Sequence, residues 1–173
     1  MTSDLFWKIV GSFDWSQTGD DNAVMQPALD ALAALPEAEI YAFDDALAER
    51  LFALDTRAHC RAGYQGESDP DNGDDYISAD DFLYLRCAVV ANGRKLYDKV
   101  LRDPTQMLRG LEFESLLGLA EEAYEAKTGE EYDHVANVSW ESFSNREGWR
   151  PTKETRPGRA TGENVPPGNR RPT

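Results

Sequence analysis

The chain has 173 residues, 40% of them hydrophobic and 10% aromatic, which is enough apolar material for one domain with a real core and excludes a wholly disordered polymer. Eighteen Lys and Arg stand against 32 Asp and Glu, a net charge of -14. Such a surface repels phosphate and anionic lipid, so nucleic acid and membranes are excluded as expected partners of the folded body.

The opening stretch Met1 to Asp4 carries no Lys or Arg, and the apolar run after it is broken at Lys8, so the pattern of a secretory signal is missing. No run of about 18 apolar residues occurs that would cross a membrane as a helix. Cys60 and Cys87 are the only cysteines, too few for a disulfide framework. The expectation is a cytoplasmic protein with two free, buried thiols.

In chain order, Phe6, Ile9, Val10 and Phe13 keep the i, i+3, i+4, i+7 spacing of a short amphipathic helix, with Ser3 as its expected cap. Asp14 to Asn22 is polar and turn-rich. Ala23 to Leu35 is rich in Ala and Leu and predicts a second helix, with a start only near Pro27, which is tolerated best in a first turn, as the alternative. Pro36 with Glu37 and Glu39 opens the most periodic stretch of the chain. Ile40, Phe43, Leu47, Leu51, Leu54 and Ala58 predict one long helix ending near Gly63.

Gly63 to Ile77 is a loop by composition. Ser78 and Asp81 resemble a capping box and predict a helix through Phe82, Leu83, Leu85, Val89 and Val90. The pair Asn92-Gly93 is a hairpin signal, but Leu96, Tyr97, Val100 and Leu101 return to helical spacing after it, which favours two helices joined at Gly93 and stopped by Pro104. Glu112 to Lys127 predicts a further helix ended by Thr128-Gly129. Glu130 to Trp149 is aromatic without period, with Tyr132, Trp140, Phe143 and Trp149, and is expected to wrap the helices in extended form. The fold class is therefore all-α: a single compact domain of about six helices over residues 1–149 with an extended aromatic C-terminal segment.

Residues 150–173 differ in kind. They hold prolines 151, 157, 166, 167 and 172, glycines 158, 162 and 168, and a single large aliphatic side chain, Val165. Such a stretch buries too little to offset its ordering entropy and predicts a disordered, Pro/Gly-rich basic tail. Six basic residues against Glu154 and Glu163 give it +4, leaving -18 for the body.

The chemistry that these residues exclude is broader than the chemistry that they offer. Asp69, Asp71, Asp74, Asp75 and Asp80 approach a calcium loop, but Gly73 and Asp74 fall one place out of register and the bidentate Glu is replaced by Asp80. The only histidines are His59 and His134, and the Glu131/His134 pair lacks the companions of a di-iron site. No metal and no cofactor are expected. Acid pairs such as Asp45/Glu49 and Glu121/Glu125 read as a solvated face. Arg86 and Arg94 flank an apolar segment. If either points inward it needs a partner, with Asp80, Asp81 and the Glu121 to Glu125 face as candidates, or else it marks an anion site.

The stretch from Ser78 to Arg94, together with Phe6-Trp7, Glu39 to Phe43, Leu54-Asp55-Thr56-Arg57, Leu111 to Glu114, Lys127 to Gly129 and Phe143-Ser144-Asn145, resembles the bacterial family called domain of unknown function 4240. The resemblance spans Phe6 to Trp149. It implies a small helical bacterial domain and brings no assigned reaction or binding residue with it. The functional expectation is a non-enzymatic protein-interaction or regulatory module with an acidic surface and a protein partner. Its rival is an enzyme or small-molecule binder assembled around Trp7, Asp80, Asp81, Arg86 and Cys87, with Arg94 as a further binding candidate.

Overall fold

A computed structural model describes residues 1–64, 66 and 78–150. The acidic loop, with its calcium-like spacing, and the basic tail from residue 151 on lie outside the described residues. Seven α-helices and three short 3-10 turns make up the regular structure among the described residues, with no strand. The all-α expectation holds, with one more helix than the sequence pattern predicts.

Helix α1 (Ser3–Val10) buries Phe6, Ile9 and Val10, but its cap is Thr2, whose hydroxyl accepts from Leu5 N–H at 3.2 Å, and Ser3 is its first residue. A 3-10 turn (Trp15–Gln17) leads to α2 (Asp21–Ala33), which starts well before Pro27. The aspartate at position 20 decides this start: its carboxylate accepts from Ala23 N–H at 3.1 Å and supplies a cap, leaving Pro27 to cost one backbone bond inside the helix.

The predicted long helix is two. Helix α3 (Glu37–Leu54) buries Ile40, Phe43, Leu47, Leu51 and Leu54, and the backbone then turns out at Asp55. Helix α4 (Arg57–Gly63) is restarted by Thr56, which accepts from His59 N–H. Ala58, expected on the inner face, is exposed, and His59 and Cys60 are buried in its place. Helices α5 (Ala79–Ala91) and α6 (Arg94–Arg102) are capped and joined as expected. Ser78 accepts from Asp81 N–H at 3.4 Å, and Gly93 takes the φ of 89° that a side chain resists.

The Glu112 to Lys127 helix also differs. Phe113 N–H donates to the Tyr84 carbonyl at 3.2 Å, so the chain is still extended there. A 3-10 turn (Glu114–Gly118) comes next, and α7 proper runs Leu119–Thr128 to Gly129, at φ 73°. The core is shared by all seven helices.

His59 ties α4 to α6. Its Nδ1 lies 2.7 Å from the Thr56 hydroxyl and its Nε2 lies 3.1 Å from the Val100 carbonyl, one of the last acceptors of α6. The neutral tautomer with Nε2–H satisfies both, and burial holds its pKa below the usual value. The depressed folded pKa means that the unfolded chain takes up the proton first as pH falls. The contribution of His59 is full above the unfolded value of about 6.5 and is lost as pH falls through the folded one. Urea unfolding between pH 7 and 5 should show stability falling toward acid, with a shallower slope in His59→Asn; equal slopes would remove His59 from the account.

From Glu130 onward the chain is a strap. Tyr132 OH donates to Asp44 at 3.0 Å, His134 Nε2 lies 3.1 Å from Asp45, and Asn137 donates from its backbone to Asp45 and from its side chain to Glu49. The Asp45/Glu49 pair, read as a solvated face, therefore serves as acceptors for the strap. Tyr41 lies between the Tyr124 and His134 rings, at centroid distances of 5.5 and 4.8 Å.

Candidate functional site

The polar centre of the molecule is Asp55, which is fully buried at the α3–α4 break. Its Oδ1 accepts from Phe143 N–H at 2.9 Å and from the Trp149 indole N–H at 2.8 Å, and its Oδ2 accepts from Asn145 N–H at 2.8 Å. Asn145 Nδ2 donates to the Phe52 carbonyl at 3.1 Å, and Gly148 returns its carbonyl to Arg57 N–H at 3.0 Å. A Cβ at Gly148 would stand 2.8 Å from Thr56 Cγ2, so the approach needs glycine. Phe143 is held at φ 71°, a conformation that an L side chain adopts only where its surroundings impose it.

Arg86 is the other buried charge. Its Nη1 donates to the Leu51 carbonyl at 2.8 Å, and its Nη2 donates to the Trp140 carbonyl at 3.0 Å and the Ser142 hydroxyl at 2.9 Å. The guanidinium lies 4.8 Å from the Phe82 ring centroid. Burial lowers its pKa, while the charge of Asp55 opposes that shift. The balancing carboxylate is thus Asp55, not Asp80, Asp81 or the α7 glutamates, and no direct ion pair joins the two among the described residues. Arg86 caps the Leu51 carbonyl in the last turn of α3, where a cation also suits the helix dipole, and at the same time grips the strap.

The other candidates separate. Cys87 is buried, and its burial pushes the thiol up to about 12, so it is protonated at neutral pH. Trp7 packs on Phe6 and Tyr97 at 5.0 and 5.3 Å, beneath the Arg50 guanidinium. Arg94 is exposed and pairs with Asp4 at 2.9 Å. Trp7 lies on α1 and Arg94 opens α6 just past the C-terminal end of α5, whereas Asp80 and Asp81 are exposed in the first turn of α5, at the other end of its 13 residues, about 18 Å along the helix axis. The structure does not bring the candidate set into one place.

Asp81 alone lines a cleft, of about 630 Å³. Its floor is the end of α4 at Cys60 and Gly63, its walls are Phe82 and Leu85 of α5, and its far edge is Leu111 and Glu112. That edge is pinned by Arg109, which donates to the Ala62 carbonyl at 2.9 Å, and by Phe113 N–H on Tyr84. A side chain at Gly63 would collide with Leu85. The charged residues of the lining are both acids, Asp81 and Glu112, among the described residues.

Aromatic side chains pack next to the cleft lining. Phe143 packs on Trp149 at 4.6 Å, and Trp149 packs on Phe82 at 6.0 Å. Leu111 lies across the gap, and beyond it Phe113 meets Trp15 at 5.4 Å. Phe143, Leu111 and Trp15, which are 45%, 53% and 43% exposed, are three of the largest apolar side chains open to solvent. Sequence reasoning named Leu111 and Glu112 only in the family resemblance and, for Glu112, as the start of the expected helix, and gave neither a binding role.

Fold and site thus define an all-α domain with an acid-edged cleft and a latched strap. Residues 1–126 match the family described as Protein of unknown function (DUF4240), and the chain belongs to that family. No curated protein and no solved structure matches it. The family match ends before Phe143-Ser144-Asn145, although that stretch meets Leu54-Asp55-Thr56-Arg57 in the structure. Among the described residues no helix is long and apolar enough to cross a membrane, and no three His, Cys, Asp or Glu are grouped to hold a metal ion.

Proposed function

We propose that the protein is a non-enzymatic interaction module of the bacterial cytoplasm that docks an extended peptide segment of basic and apolar side chains into the cleft. The observation that carries this reading is the cleft itself: Phe82, Leu85 and Leu111 offer apolar surface, Asp81 and Glu112 offer charge of one sign, and exposed rings continue the surface on both sides. An interface of this kind takes its affinity from apolar anchors and its selectivity and encounter rate from the charged rim. The body charge of -18 favours cationic partners over nucleic acid or anionic membrane. Two cysteines, too few for a disulfide framework, suit a reducing compartment.

The test is a fluorescence titration of the full chain with a labelled peptide of four Arg-Pro-Leu repeats. Asp81→Asn combined with Glu112→Gln should weaken binding about tenfold, since two rim pairs contribute up to about 1 kcal/mol each. Glu121→Gln with Glu125→Gln on α7 makes the same change in net charge and should leave binding unaltered. Equal loss in both double variants would reduce the effect to general acidity and remove the cleft from the reading. The rival, a small-molecule binder, uses the same cleft, whose volume lies in the range of ligand pockets. A metabolite that raises the melting temperature while the peptide fails to bind would favour it.

A further inference from the structure

The described chain leaves the body beside the cleft. Trp149 packs on Phe82, a cleft wall, and holds its indole N–H on Asp55. The sequence beyond it carries Pro151, Lys153, Arg156, Pro157 and Arg159, a stretch of basic residues and prolines. Ten residues beyond Trp149, in extended form at about 3.1 Å each, reach about 30 Å, ample for a cleft whose wall the last described ring touches. The cleft's described charges are Asp81 and Glu112, opposite in sign to that stretch.

Resting on the peptide-docking reading of the same cleft, we propose that its resident occupant is this chain's own segment 151–159, which lies in the cleft in cis and excludes other peptides. Tethering makes the encounter intramolecular, with an effective concentration in the millimolar range for a short connection. A weak contact of two or three charge pairs and a proline is then enough to fill the site, and a partner must outcompete it. Proline lowers the entropy lost on docking because its φ is fixed beforehand. The segment would thereby set the threshold at which partners bind.

The test uses the full chain and the same labelled Arg-Pro-Leu peptide. The triple variant K153Q/R156Q/R159Q removes the segment's three basic side chains and leaves Glu154, which takes 151–159 from +2 to -1. The variant should bind the peptide at least threefold more tightly than the wild type, by an amount that is independent of protein concentration. Equal affinities, with binding still sensitive to Asp81→Asn and Glu112→Gln, would overturn cis occupancy and leave the docking reading standing. No binding by either protein would overturn both. A gain that grows with protein concentration would assign the cleft to the segment of a second copy and overturn the cis arrangement.

Discussion

Asp55→Asn is expected to lower the unfolding free energy by about 3 kcal/mol, although it changes one oxygen to one NH2. The carboxylate accepts from four donors, the backbone N–H groups of 143 and 145, the Trp149 indole and the Ser144 hydroxyl, and is fully buried. An amide keeps one good acceptor and turns two hydrogens toward donors. It also removes the negative charge nearest to buried Arg86. The loss should concentrate in the strap: native-state hydrogen exchange at 143 and 145 should accelerate more than exchange in α3, and Trp149 fluorescence should shift as the ring becomes wet. A stability within about 0.5 kcal/mol of wild type, with unchanged protection, would mean that the carboxylate does not organise the strap.

Arg86→Met should cost about 3–5 kcal/mol, the largest effect of any change considered, despite filling much of the same volume. It leaves the Leu51 and Trp140 carbonyls and the Ser142 hydroxyl without their donor and strands the charge of Asp55. Arg86→Lys should recover only part of the loss, because three acceptors on two elements need the planar fork of a guanidinium. Since each residue compensates the other's buried charge, the double variant Asp55→Asn with Arg86→Met should be destabilised by less than the sum of the singles, by about 1–3 kcal/mol. Urea unfolding of the four proteins checks this, and strict additivity would show that the two charges do not act on each other.

Local signals in the sequence translated well into structure. Ser78 with Asp81, Asn92-Gly93 and Thr128-Gly129 work through contacts within a few residues, and each marks the boundary that its chemistry implies. The strap was legible from its lack of period. The α3–α4 break was not, because Leu47, Leu51, Leu54 and Ala58 keep a helical spacing straight across it while the deciding event is long-range. Asp55 leaves the helix to meet residues about ninety positions later. Thr56 was the one local clue, as a capping residue placed inside an apparent helix. The need of Arg86 for a partner was legible from its apolar neighbours, but the partner was not, since several acids were equally available. The cleft could not be seen at all: it joins the end of α4, the start of α5 and an irregular stretch that carries no periodic mark.

The latch has a consequence for what counts as the unit of this protein. The family match stops at residue 126, within α7, and Trp140, Ser142, Phe143, Asn145 and Trp149 all come later. A chain cut at the family boundary would keep Asp55 and Arg86 in its interior while discarding most of the groups that satisfy them. The stretch that matches the family is therefore shorter than the stretch whose groups satisfy Asp55 and Arg86. The contacts that satisfy these two buried charges run through Trp149, some twenty residues past the end of the family match.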